Sequence, residues 1–182
     1  MNKILKLTLI LFLICAIVAG ILGVINELTW RRIDQIQADK TARAYAAVLE
    51  SDGYEDLGIN SYMLNKVTVN SIAKATNGAG YVVEVTFSGA QGNITMVVGV
   101  SNDYKCTGIS ITEHSETSGL GANAASTADV GVNFRRQFIG VGEGVALKKA
   151  GGEIDALSGA TITSRSVTNA VSVAIQAVKA LG

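Results

Sequence analysis

Tyr81-Val82-Val83-Glu84-Val85-Thr86-Phe87, then Ser88-Gly89-Ala90-Gln91-Gly92-Asn93, then Ile94-Thr95-Met96-Val97-Val98-Gly99-Val100 is the stretch that decides the fold. Two β-branched runs flank a segment rich in turn formers, and this spacing predicts an antiparallel hairpin. Ile109-Ser110-Ile111-Thr112 reads as a further strand, so residues 62–112 are expected to form a sheet. Upstream, residues 26–50 read as helix. Ala42, Tyr45, Ala46 and Leu49 fall at i, i+3, i+4 and i+7, and Trp30 is placed to anchor at a membrane interface. Downstream, from about residue 165, Val167, Ala170, Val171, Ala174, Ile175 and Val178 form one apolar helical stripe. The expected class is α+β, with no repeats and no low-complexity tail.

Composition bounds what this fold can do. The 182 residues suit one domain with appendages. Fifteen basic residues balance fifteen acidic ones, so there is no electrostatic footprint for nucleic acid. Proline is absent, so the 20 glycines must supply the turns. Mean hydropathy is +0.35, high for a soluble domain.

That apolarity has one source. Leu7 to Ile25 carries no charge and is long enough to cross the ~30 Å hydrocarbon core as a helix. A secretory signal peptide is the competing reading, since Lys3 and Lys6 form a basic leader. The run is longer than the usual signal core of roughly 7–15 residues, and no clear Ala-x-Ala site follows. Cys15 sits behind Ile14, where a lipoprotein signal would need a small residue. An uncleaved single span is therefore expected, lodged in membrane lipid. Lys3 and Lys6 on one side, against Arg31 and Arg32 offset by Glu27 and Asp34 on the other, tip the soluble domain toward the extracytoplasmic side. The expected division is residues 1–25 for the N-terminal segment and span, 26–50 for a connecting helix, and 51–182 for the domain.

Two polar stretches carry candidate chemistry. The first, Thr112-Glu113-His114-Ser115-Glu116-Thr117-Ser118-Gly119-Leu120-Gly121, ends in a Gly-Leu-Gly turn able to bring backbone close to a ligand. Its plain reading is a glycine-bearing turn after a strand. The second is Asp155-Ala156-Leu157-Ser158-Gly159-Ala160-Thr161-Ile162-Thr163-Ser164, opening onto the last helix. Its plain reading is a helix cap, with Ser158 or Thr161 bonding free amides. Gly159 and Ala160 leave the Thr161 hydroxyl unobstructed, while Thr163 and Ser164 are competing alcohols. One His and two separated Cys give zinc no usual ligand set. No Gly-x-Ser-x-Gly elbow and no Gly-x-Gly-x-x-Gly dinucleotide fingerprint occurs. Cys106 alone cannot hold an iron–sulfur cluster.

Taken together, the span, the following helix, the Glu-Thr-x-Gly-Leu-Gly loop, the Phe134-to-Gly140 segment and the terminal Asp-x-x-Ser-Gly-Ala-Thr resemble the G subunit of Rnf-type electron-transport complexes. More distantly they resemble the C subunit of the Na⁺-translocating NADH:quinone oxidoreductase. Ser118 stands where members often have Pro, leaving the Gly-Leu-Gly turn intact. The resemblance implies an FMN-binding domain whose flavin is joined by phosphoester to Thr161. Asp155, Ser158, Gly159, Ala160 and Thr163 complete that motif, and Glu116, Thr117, Gly119, Leu120 and Gly121 line the flavin site. It further implies that a separate flavin transferase installs FMN from FAD with Mg²⁺, and that the partners are other membrane subunits of the Rnf complex. That complex passes electrons between reduced ferredoxin and NAD⁺ and couples them to Na⁺ or H⁺ translocation. This chain would then be a relay with no independent catalysis. The alternatives are a C-type subunit of the quinone-reducing complex, or a single-span extracytoplasmic binding domain without redox function.

Overall fold

The computed structural model describes residues 3–181. Met1, Asn2 and Gly182 lie outside the described residues, as do the side chains of Arg31 and Asp34 that the orientation reading used. Lys3–Val48 forms one helix, α1, with no break where a span and a connecting helix were expected to divide. No proline interrupts it, and polar Glu27 to Lys40 are as compatible with helix as the apolar run before them. Within it lies the single described helix long and apolar enough to cross a membrane. The chain divides into two compact units, residues 1–40 and 41–182.

The second unit is a six-stranded antiparallel sheet with helices. Its strands are β1 (Tyr54–Asp56), β2 (Tyr62–Leu64), β3 (Val67–Ala75), β4 (Gly80–Ser88), β5 (Asn93–Ser101) and β6 (Cys106–His114). Order across the sheet is β1-β3-β4-β5-β6, with β2 sharing the β3 edge that β1 occupies. The expected hairpin is β4–β5, with Tyr81 opposite Val100 and Phe87 opposite Ile94. The register of β3 slips between Val69 and Ser71, and the bulge reverses which side of the strand faces each layer. Val67 and Val69 before it, and Ile72 after it, therefore all reach one core. Asn70 in the bulge donates to Thr86 Oγ1 at 2.8 Å.

Helix α3 (Thr161–Lys179) covers one face of the sheet. The whole predicted stripe is buried there against Val83, Val85, Met96 and Val98. Each of its valines and Ile175 contributes about 1.5–3 kcal/mol relative to exposure. The end of α1 covers the other face, where Ala44, Val48 and Leu49 pack on Ala75, Val82 and Val97. This corrects the expected stripe: Ala42 and Ala46 are exposed, and Ala44 and Val48 are buried in their place. Tyr45, half-buried, meets Tyr54 edge-on at 5.2 Å. The Thr107 hydroxyl donates to the Val48 carbonyl at 2.5 Å, satisfying one of the unpaired carbonyls at the helix end. Between β6 and α3 the chain forms a 3₁₀ turn over Gly121–Ala125, a short helix α2 (Asp129–Arg136) and a loop closed by the Leu147–Ile154 bridge.

Candidate functional site

The site is built where α3 begins. α3 opens at Thr161, not near 165, because tertiary hydrogen bonds hold a Thr-Ile-Thr-Ser start that propensity disfavours. The Ala160 N–H bonds the Leu157 carbonyl at 3.1 Å, forming a tight turn. Ser164 locks this turn to the helix: its hydroxyl accepts the Leu157 N–H at 2.9 Å and donates to the Ala160 carbonyl at 2.9 Å. A cap by Ser158 or Thr161, the plain alternative reading of this stretch, is not observed. Ala160 is the N-cap residue, no side chain bonds the first amides, and Ser164 stabilises the turn from inside the helix.

Gly159 sits in this turn at φ +71°, the left-handed region that glycine tolerates best. A Cβ there would stand 2.8 Å from Leu120 Cδ2. The Gly-Leu-Gly loop and the Ser-Gly-Ala-Thr turn, nearly forty residues apart in sequence, are thus in contact.

Glu116 joins them from beneath. Its Oε2 accepts the Thr163 hydroxyl at 2.5 Å, and its Oε1 accepts the backbone N–H groups of Ala90 at 2.8 Å and Gln91 at 3.1 Å. One buried carboxylate therefore ties the β4–β5 turn, the loop after β6 and α3. Burial pushes the Glu116 carboxyl upward, but the Thr163 hydroxyl and the amides of Gln91, Ala90 and Gly92 outweigh it and hold it below its ordinary value. Gly121 makes room, since a Cβ there would lie 2.1 Å from Glu116 Oε2. The Glu116 N–H in turn donates to His114 Nδ1 at 3.3 Å, so this His shapes the loop. Asn123 Nδ2 bonds the Gly119 carbonyl at 2.9 Å, and Arg135 Nη1 bonds the Ala124 and Ser126 carbonyls, bracing the turn that follows.

Thr161 stands apart from this lock. It is half-buried, and its hydroxyl makes no hydrogen bond among the described residues. It opens on a groove of about 220 Å³ bounded by Val145, Leu147, Lys149 and Arg165. Asp155 is exposed and pairs with Lys148 at 2.6 Å, while its backbone N–H is held by Gln137 Oε1 at 2.7 Å.

The structure therefore brings the two predicted stretches together but gives their residues different surroundings. Glu116, Gly121, Ala160 and Thr163 are buried; Thr117, Gly119, Leu120, Ser158 and Gly159 are exposed. Both Glu116 oxygens are taken by protein donors. Arg165, Lys149 and Gln137 were not singled out from sequence. For Arg165 a signal existed, because it lies one helical turn beyond Thr161.

An FMN-binding domain model matches residues 89–176, which include the loop, the turn and most of α3. The chain is 32% identical over 189 residues to the G subunit of an ion-translocating oxidoreductase complex from Methanosarcina acetivorans, covering 98% of this chain and 96% of the relative. It is 32% identical over 187 residues to the G subunit of the Na⁺-translocating ferredoxin:NAD⁺ oxidoreductase complex of Acetobacterium woodii, with 94% and 89% covered. The G subunit of the proton-translocating ferredoxin:NAD⁺ oxidoreductase complex of Clostridium ljungdahlii is 32% identical over 173 residues, with 95% and 88% covered. Among solved structures, the C subunit of the Na⁺-translocating NADH-quinone reductase of Parabacteroides distasonis aligns at 24% identity and TM-score 0.45, over 60% of this chain and 59% of that one. With this identity sustained over nearly its whole length, the chain belongs to the G-subunit family of Rnf-type ion-translocating oxidoreductase complexes.

Proposed function

We propose that this protein is the flavin-carrying relay of such a complex, holding FMN by a phosphoester on Thr161. One observation carries the assignment. Of the four alcohols in residues 158–164, Thr163 and Ser164 are fully buried and already bonded, whereas Thr161 is half-buried, makes no hydrogen bond among the described residues and lines a groove. The surroundings fit the group. The first turn of α3 has free backbone N–H groups and the positive end of the helix dipole, both of which favour an anion. Leu120 and Ile162, 44% and 62% exposed, give an aromatic ring apolar surface beside the attachment point.

FMN, when bound, supplies one-electron chemistry, and the chain's task is to hold and tune it. In maturation the Thr161 oxygen attacks the riboflavin-side phosphorus of FAD. The pyrophosphate P–O bond breaks, AMP leaves, and the hydroxyl proton passes to solvent. A transferase with Mg²⁺ is the catalyst, so this chain is its substrate. The apolar part of α1 anchors the carrier in lipid beside its partner subunits, raising its effective concentration there. With Lys3 and Lys6 on the cytoplasmic side, the flavin domain lies outside, where a tethered cofactor cannot diffuse away.

Intact-mass spectrometry tests the assignment. The wild-type chain should carry the mass of FMN less water, and Thr161→Ala should be folded, colourless and unmodified. A yellow, covalently modified Thr161→Ala chain would move the attachment elsewhere.

A further inference from the structure

The groove beside Thr161 holds two cations to which flavin attachment alone gives no task. Val145 and Leu147 give it apolar walls, and Lys149 and Arg165 enter it from different segments. No acidic side chain lines it. Neither cation makes an ion pair among the described residues, whereas neighbouring Lys148 is paired with Asp155. Arg165 follows Thr161 by four residues within α3, so the two share a face. Helical side chains lean toward the N-terminus, which directs the guanidinium back toward Thr161.

Resting on the Thr161 assignment, we infer that Arg165 is the positioning residue for the flavin phosphate, with Lys149 supplying the second charge. A guanidinium offers two parallel N–H groups matched to two phosphate oxygens, a geometry an ammonium cannot reproduce. During attachment Arg165 steadies the phosphoryl group against the Thr161 oxygen. Afterwards it neutralises the phosphodiester and limits rotation about the threonine side chain, fixing where the flavin emerges. The position is specific: Ser166 and Asn169 on the same helix carry no charge, and Lys179 at its far end is paired with Glu143.

The full chain is incubated with FAD, Mg²⁺ and its transferase, and covalent FMN is followed by intact mass. The loaded chains are then compared by ³¹P resonance. Arg165→Ala should slow attachment on the order of 10-fold, Arg165→Lys and Lys149→Ala less so, with unchanged melting temperature. The ³¹P resonance should be displaced in Arg165→Ala and less so in Arg165→Lys. If Arg165→Ala loads too little for a spectrum, Arg165→Lys and Lys149→Ala carry that comparison. Equal rates with one common resonance would overturn the inference. So would slower loading with an unmoved resonance, which would place Arg165 in transferase recognition instead. A wild-type chain that takes up no FMN, or takes it on another residue, would sink the Thr161 assignment itself.

Discussion

Replacing Thr163 by Val separates structural from reactive alcohols in one experiment. Valine nearly matches threonine in shape, so the change removes the hydroxyl that donates to Glu116 Oε2 at 2.5 Å without opening a cavity. The carboxylate keeps its bonds from Ala90 and Gln91 on Oε1, but Oε2 remains buried and loses its donor. A hydrogen bond to a charged group contributes about 1.5–3 kcal/mol, and the cost here should be near 2 kcal/mol at pH 7. For a unit of this size that lowers the melting temperature by roughly 5–8 °C. The pH dependence follows from the sign of the Glu116 shift. Its folded value lies below the ordinary 4.5, so its stabilisation is present above that pH and lost as pH falls through the folded value. Without the Thr163 hydroxyl one lowering influence is gone while burial still raises the value, so acid unfolding should begin at higher pH. Denaturant titrations from pH 7 to pH 3 would read both effects. Thr163→Val should still carry covalent FMN. A variant as stable as wild type with the same acid profile would show that Thr163 does not hold the carboxylate, and one without flavin would point to Thr163 as the attachment site.

Two further outcomes are expected. Burial pushes the Cys106 thiol up to about 12, outweighing its weak bond to the Gly108 carbonyl, so in a Cys15→Ser chain maleimide at pH 8 should label Cys106 only after unfolding. Rapid labelling of the native protein would contradict that burial. Leu120→Ala trims an exposed side chain lying over Gly159, so stability should change by under ~1 kcal/mol while the flavin absorbance and midpoint potential move. An unaltered spectrum and potential would remove Leu120 from the flavin's surroundings.

Much of the fold was legible because period and turn chemistry agreed. The β4–β5 hairpin and the α3 stripe are strong local patterns, and both are found where the residues placed them. The short strand β1 was not legible, since three residues carry no period and it forms only by pairing along β3, whereas β2 falls at the start of the expected 62–112 sheet. Nor was the bulge at Asn70, which a strict alternation through β3 would have missed. The stripe on α1 was misplaced because Ala42 and Ala46 have too little apolar surface to dictate a face. The larger Val48 decided which side turns to the sheet.

At the site, one misplaced boundary hid most of the logic. Successive helical residues are separated by ~100°, so positions two apart face nearly opposite ways and positions four apart nearly coincide. With the start of α3 placed near 165, Thr163 and Ser164 stand as competitors to Thr161, since no helical face yet separates the three. With the start at Thr161, helical geometry separates them: burying Thr163 over Glu116 turns Thr161 away from that lock and brings Arg165 onto its side. The boundary was hidden because the groups that enforce it come from elsewhere in the chain. Glu116 arrives from the loop after β6, and the Leu157 amide from the turn before the helix. A Thr-Ile-Thr-Ser-Arg start thus combines a buried anchor, a free alcohol and a cation within little more than one turn. The anchor can be rigid while the alcohol stays accessible, because they lie on different sides of the same helix.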